Sequence, residues 1–147
     1  MKRRHFLQSS VAAAVAASLP SSQALAAAMA AISEVTADVN AVTGSGTQVT
    51  LEMSAVKELS DSIRGRLLLP GAEGYDVARR VLNPVIDKHP ALVIQPSGAA
   101  DIMNAVTFAR ERDLLVAVKC GGHSFSGKST CEGGMQIDLS SFRSARV

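Results

Sequence analysis

The order of apolar and polar residues between positions 91 and 140 constrains the fold of this chain more than any other feature. Residues 92–94 and 114–118 are short continuous apolar runs, which are typical of strands buried on both faces. Between them, apolar residues at 102, 105, 106 and 109 follow the spacing of one helix face. Ser97 is placed to cap that helix, and Asp101 in its first turn favours the helix dipole. Strand, helix and strand predict a βαβ unit with parallel strands and a right-handed crossover.

A glycine-rich loop follows the second of these strands, in the stretch KCGGHSFSGKST that begins at Lys119. Open α/β sheets bind ligands at the carboxyl ends of their parallel strands, so the loop lies where a ligand is expected. Gly121, Gly122 and Gly127 permit positive φ angles and a close approach of the backbone. Successive backbone N–H groups in such a loop are suited to bind a diphosphate.

The same loop also satisfies the phosphate-loop formula of nucleotide hydrolases, G-x-x-x-x-G-K-[ST], over residues 122–129. A phosphate loop of that class leads directly into a helix, whose N-terminal N–H groups complete the phosphate site. Here a second glycine pair follows shortly, and apolar residues at 135, 137 and 139 then alternate with polar ones, which predicts a strand. The sequence therefore disfavours a nucleotide hydrolase, which would need a helix after Lys128.

Several short motifs of this region occur in the order and spacing of a known protein family. They are YDVAR at 75–79, PALV at 90–93, DI at 101–102, FAR at 108–110, GGHS at 121–124 and IDLS at 137–140. With them, residues 83–140 resemble the first half of the FAD-binding domain of the vanillyl-alcohol oxidase and p-cresol methylhydroxylase (PCMH) superfamily. Within that superfamily the resemblance is closest to berberine-bridge-enzyme-like oxidases. Leu82 stands where that family commonly has an aromatic residue, a departure that affects packing more than chemistry.

The resemblance implies an α+β fold, namely the N-terminal part of a PCMH-type FAD-binding domain in which a βαβ unit is followed by a glycine-rich loop and a strand, with the domain incomplete. It implies FAD as the cofactor and no metal. The cofactor-binding residues that it implies are Lys119, Cys120, Gly121, Gly122, His123, Ser124, Phe125, Ser126 and Gly127.

The resemblance also implies that His123 is covalently bonded to the flavin 8α-methyl group. A neutral imidazole held among glycines has the nucleophilicity and exposure that this bond requires. Without the resemblance, the same residue could simply hydrogen-bond the backbone of its turn, and both interpretations stay open on the residues alone.

For the full-length protein, the resemblance implies an FAD-dependent oxidoreductase that oxidises an alcohol or similar C–H donor, a small-molecule substrate. Hydride passes to the flavin while a base removes a proton, and no residue of this chain is identified as that base. We expect the present chain to be a fragment that is inactive alone. The alternative is a catalytically inactive remnant of a flavoprotein.

The N-terminus resembles a bacterial twin-arginine export signal. Arg3 and Arg4 precede two bulky apolar residues, and an Ala/Val-rich run over 11–19 ends at Pro20. A membrane helix needs about 20 apolar residues, so this run predicts a cleaved signal over residues 1–26 rather than a stable membrane span. We expect the twin-arginine export machinery as a partner, and a periplasmic or extracellular location.

The charge balance disfavours nucleic-acid binding. Three of the 15 basic residues lie in the signal and none of the 13 acidic ones does, so the mature chain is near neutral. Nucleic-acid binding depends on a basic surface, and a chain with 3% aromatic residues and no Trp has little to stack on bases.

The rest of the chain divides into three segments. Residues 27–53, rich in Ala, Ser and Thr, are predicted as a flexible linker. Residues 54–84 form a short helical lead-in, with helices expected at 54–64 and 75–82. Residues 85–147 are the first part of the FAD-binding domain, truncated.

Two cysteines, Cys120 and Cys131, flank the centre of the glycine-rich loop. An oxidising compartment permits a disulfide between them, and two buried thiols are equally compatible with the sequence. Both interpretations stay open.

Overall fold

The computed structural model describes residues 35–143. The export signal predicted over residues 1–26 lies outside the described residues. Within the described part, no helix combines the length and the apolar character needed to cross a membrane.

Nine elements make up the described chain. In chain order they are β1 (Val39–Val42), β2 (Gln48–Leu51), α1 (Met53–Ser62), β3 (Arg66–Leu68), α2 (Tyr75–Arg79), β4 (Leu92–Gln95), α3 (Ala99–Glu111), β5 (Val116–Lys119) and β6 (Met135–Asp138). Mixed helix and strand of this kind confirm the α+β class. The predicted helices over 54–64 and 75–82 correspond to α1 and the shorter α2, and the strand β3 between them was not predicted.

The flexible linker predicted over residues 27–53 is wrong for its second half. Strands β1 and β2 pair as an antiparallel hairpin, with Val39 opposite Leu51. Gly46, at a φ of 87°, lies in the turn of this hairpin instead of in a linker. Hydrogen bonds join the hairpin to the segments that precede β5 and β6, including those from Val42 N to Gly133 O at 2.8 Å and from Leu115 N to Val42 O at 2.9 Å. Composition misled the prediction because the strands are short and only Ala41 and Leu51 among them are fully buried.

A four-stranded sheet in the order β3-β4-β6-β5 forms the centre of the fold. Strands β4 and β5 are both parallel to β6, and β3 is antiparallel to β4. The predicted βαβ unit is therefore present as β4-α3-β5, with the two strands parallel. They are not neighbours, however, because β6 inserts between them.

The burial of the last two strands is the reverse of what the pattern predicts. Strand β5 lies at the edge of the sheet, and its Val116 and Val118 are 39% and 52% exposed. Strand β6 occupies an interior position, and all four of its residues are buried, including Gln136 and Asp138. The apolar run at 114–118 was therefore wrong as evidence for a strand buried on both faces. The burial of a strand depends on the strands that lie beside it in the sheet.

The two faces of the sheet carry separate cores. Helices α1 and α3 cover one face, where Val56, Phe108, Ile94 and Ile137 belong to a single buried cluster. The other face carries α2, and there Val93 packs with a smaller cluster. Alternate residues of β4 thus serve opposite faces, as the pleat of a strand requires.

The expected cap from Ser97 is not formed; a buried carboxylate in the first turn of α3, that of Asp101, accepts hydrogen bonds from the preceding chain instead. Its oxygens accept hydrogen bonds from Ser97 N at 2.8 Å, Ser97 Oγ at 3.0 Å, Arg64 N at 3.1 Å and Gly65 N at 3.0 Å. Burial alone raises the pKa of Asp101, but these hydrogen bonds stabilise the carboxylate more and lower its pKa overall. A β-carbon on Gly65 would lie 2.0 Å from Gln95 O, so only glycine allows this close approach.

Candidate functional site

The glycine-rich loop joins β5 to β6 and begins where the parallel strand β5 ends at Lys119. Between residues 120 and 134 no helix is present, and β6 follows directly. The helix that a nucleotide hydrolase needs after Lys128 is therefore missing from this part of the chain. The loop lies at the sheet edge that was expected to hold a ligand.

A cleft of about 710 Å³ opens beside the first half of the loop. Five of the nine predicted binding residues line it, from Lys119 to His123. The other lining residues were not predicted as binding residues; they are Arg80, Leu82, Leu139, Ser140, Phe142 and Arg143. They come from two segments that are distant in sequence, residues 80–82 and 139–143, and no local sequence pattern connects these.

The first turn of the loop lines this cleft and contains backbone N–H groups without an acceptor among the described residues. The N–H groups of Gly121, Gly122 and His123 have no acceptor among the described residues. Gly122 has a φ of 72°, which glycine adopts without strain, and its carbonyl accepts from Leu82 N at 2.9 Å. The turn is thereby fixed to the segment after α2, while its donors remain free for a ligand.

His123 is exposed and lies over the backbone of the loop. A β-carbon placed on Gly121 would stand 2.6 Å from His123 Cδ2, so the imidazole packs where a side chain would otherwise lie. The side-chain hydrogen bonds of the described loop involve its neighbours, and none involves the imidazole. This arrangement does not match the backbone hydrogen bond that was the alternative interpretation of this histidine.

The remaining predicted residues, Ser124 to Gly127, shape the loop and do not line the cleft. Ser124 closes a turn, because its carbonyl accepts from Gly127 N at 3.2 Å and its Oγ from Lys128 N at 2.9 Å. Asn83 Nδ2 donates to Phe125 O at 2.9 Å. These bonds hold the second half of the loop against the segment that follows α2, and the phenyl ring of Phe125 is 83% exposed.

Polar side chains next to the cleft form a hydrogen-bonded network in the interior. Lys119 Nζ donates to Ala78 O at the end of α2 and lies 3.5 Å from Asp138 Oδ1. Gln95 Nε2 donates to the other oxygen of Asp138 at 3.1 Å, and Gln136 Nε2 donates to Ala78 O at 2.8 Å. Lys119 was predicted as a binding residue, and the structure gives its ammonium group to this internal network.

Asp138 and Ser140 form the turn that follows β6. Asp138 is buried in the network, and its Oδ1 accepts from Ser140 N at 3.2 Å. This turn places Ser140 at the cleft.

The two cysteines have contrasting environments, and both are free thiols. Cys120 is exposed and lines the cleft. Cys131 is buried, and burial raises the pKa of its thiol to about 11. The disulfide that the sequence left open is not formed in this structure.

Comparison with known proteins agrees with the geometry of this loop. Residues 90–146 match a family described as an FAD binding domain. An FAD-linked oxidoreductase from Dictyostelium discoideum is 36% identical over 94 residues, which are 63% of this chain and 20% of the relative. The chain thus spans about a fifth of the length of the curated relatives it matches.

Solved structures show the same likeness. The crystal structure of 6-hydroxy-D-nicotine oxidase from Arthrobacter nicotinovorans has a TM-score of 0.55 at 28% identity, over 58% of this chain and 19% of its own. BBE-like 1 of Physcomitrella patens has a TM-score of 0.55 at 24% identity, over 60% of this chain and 20% of its own, and shows the fold alone. The resemblance and the cofactor predicted from the sequence are confirmed: residues 90–146 match a family described as an FAD binding domain, the chain is similar to FAD-linked oxidoreductases, and its fold is similar to that of 6-hydroxy-D-nicotine oxidase and BBE-like 1.

Proposed function

We propose that the full-length protein is an FAD-dependent oxidoreductase whose loop from Lys119 to Gly127 binds the diphosphate of FAD. One observation carries this proposal: Gly121, Gly122 and His123 line a cleft at the end of a parallel strand, and their N–H groups have no acceptor within residues 35–143. Diphosphate oxygens are acceptors that such adjacent N–H groups bind well.

The residues of the loop fit a bound dinucleotide. Gly122 holds a left-handed backbone conformation that other residues adopt only with strain. Neither Gly121 nor Gly122 carries a side chain that would shield the N–H groups from a phosphate. The segment Ser124 to Gly127 forms a separate turn with its own hydrogen bonds and does not line the cleft.

His123 is proposed as the residue covalently bonded to the flavin. Its ring is exposed, lines the cleft and makes no hydrogen bond to a described residue, so a ring nitrogen is free to react. With FAD bound, the imidazole of His123 would hold the flavin covalently through one ring nitrogen.

When bound, flavin supplies the hydride acceptor for an alcohol or similar C–H donor. The described residues bind and orient the cofactor, and none of them is assigned as the base that removes the substrate proton. Because the chain spans about a fifth of its relatives, we assign activity to the full-length protein and expect the 147-residue chain alone to be inactive.

Acid precipitation of the full-length protein tests the covalent bond. We expect a yellow, fluorescent pellet from the wild type and a colourless pellet from His123→Ala. His89→Ala is the matched control, because His89 is exposed and does not line the cleft. Wild-type flavin that stays in the supernatant, or His123→Ala protein that retains flavin in the pellet, would exclude this bond.

Export by the twin-arginine route is a separate proposal, supported by Arg3 and Arg4 ahead of the short apolar run. Fractionation of cells that produce the full-length protein tests it. We expect the wild type outside the cytoplasm and an Arg3→Lys, Arg4→Lys variant inside. Equal export of both proteins would contradict the route.

A further inference from the structure

Two arginines that the sequence did not single out line the cleft beside the loop. Arg80 follows α2, and Arg143 follows the turn after β6. Both are exposed. Within the described residues neither lies within 4 Å of a carboxylate, and Arg143 uses only its Nε, which donates to Ser140 O at 3.3 Å.

The charge around the cleft is unbalanced. None of its lining residues is acidic. The charge of Lys119 is compensated by Asp138 at 3.5 Å. The main cause of the lowered pKa of Asp87 is the hydrogen bond that Asp87 Oδ1 accepts from Arg79 Nη1 at 2.5 Å, and the charge of Arg80 contributes only a little. Among the described residues, the guanidinium groups of Arg80 and Arg143 therefore have no acidic partner at the cleft.

We propose that Arg80 and Arg143 bind the diphosphate of FAD as ion-pair partners, in addition to the backbone N–H groups of the loop. This inference rests on the proposed function of the same cleft. Guanidinium groups bind phosphate through paired N–H donors, and two of them match the roughly two negative charges that a dinucleotide diphosphate carries at neutral pH. Arginines that interact only with solvent would not contribute to the affinity for the diphosphate.

Equilibrium binding of two flavins isolates this contribution. FAD has the diphosphate, and riboflavin has the same ring system without any phosphate. The measurement uses full-length protein freed of flavin, in a His123→Ala background that keeps the flavin exchangeable, and follows quenching of flavin fluorescence. The variants are Arg80→Gln, Arg143→Gln and their combination. The matched control is Arg110→Gln, an exposed arginine of α3 outside the cleft.

We expect the double variant to bind FAD on the order of tenfold more weakly, since each exposed charge contributes modestly. Its affinity for riboflavin should change less than about twofold, and Arg110→Gln should change neither affinity. Raising the salt concentration should weaken FAD binding by the parent more than by the double variant, because salt screens exposed charges.

The outcomes separate this inference from the function on which it rests. Equal losses for FAD and riboflavin, or no loss for FAD, in a protein whose parent binds FAD would overturn the role of the arginines and leave the cofactor loop in place. A parent that binds neither flavin would overturn the cofactor loop and the arginines together. Tighter binding of inorganic pyrophosphate than of FAD would overturn the assignment to a dinucleotide.

Discussion

Strands β5 and β6 are neighbours in one sheet, run parallel and have four residues each, yet their environments are opposite. β5 carries the apolar sequence VAVK and exposes two of its valines, whereas β6 carries MQID and is buried throughout. The difference comes from position, because β6 has a strand on each side and β5 has one. Hydrophobicity of a strand therefore does not by itself indicate its place in a sheet.

The largest expected effect comes from breaking the buried pair that links the two strands. In Lys119→Met, the Asp138 carboxylate stays buried without its cation, and we expect the free energy of unfolding to fall by about 3–5 kcal/mol. Chemical denaturation at neutral pH measures this. A second substitution in the same protein, Asp138→Leu, removes the unpaired buried charge and should restore much of the lost free energy of unfolding. A single variant as stable as the wild type would mean that the pair is compensated in some other way.

A smaller effect should follow from matched truncations on the two strands. Ile137 of β6 is 1% exposed and Val118 of β5 is 52% exposed. We expect Ile137→Ala to lower the free energy of unfolding by about 2–4 kcal/mol, because it leaves a cavity in a packed core. Val118→Ala should cost less than about 0.5 kcal/mol. Equal losses in denaturant titrations would show that the edge of β5 is covered in the full-length protein.

The smallest expected effect concerns the thiols beside the two strands. Cys120 follows β5 and is exposed, whereas Cys131 precedes β6 and is buried. The raised pKa of Cys131, about 11 against an ordinary 9.0, favours the neutral thiol in the folded state. Its contribution to stability is thus fully present below pH 9 and is lost as the pH rises through 11. We expect a loss of about 2 kcal/mol over this window.

Comparing wild type with Cys131→Ala by denaturant titration between pH 8 and 11 isolates this contribution from other groups that titrate in the same range. Cys120→Ala serves as the control and should keep the alkaline loss of the wild type. If the loss persists unchanged in Cys131→Ala, the buried thiol does not cause it.

Local pattern was enough to predict several parts of this fold. The amphipathic spacing of residues 102–109 identified α3, and the alternation after Gly134 identified β6 as a strand and not a helix. Both signals depend only on the periodicity of helices and strands. The same alternation excluded the helix that a nucleotide hydrolase requires, although the short phosphate-loop formula is present.

Other parts of the site depended on chain segments that are distant in sequence. Arg80 and Arg143 line the cleft from two different connecting segments. Gln136 is buried because its side-chain amide donates a hydrogen bond to Ala78 O of α2. The hairpin of β1 and β2 was missed because its hydrogen bonds to Gly133 and Leu115 supply contacts that its own composition does not indicate.

The sequence by itself determined the chemistry of the loop, since its glycines and His123 set which backbone conformations are open and which nucleophile stands among them. Only the tertiary structure decided which side chains surround that loop and which strand is buried. The physical reason is that backbone freedom and side-chain reactivity belong to individual residues, whereas burial and the pairing of charges depend on which neighbours the whole fold brings together.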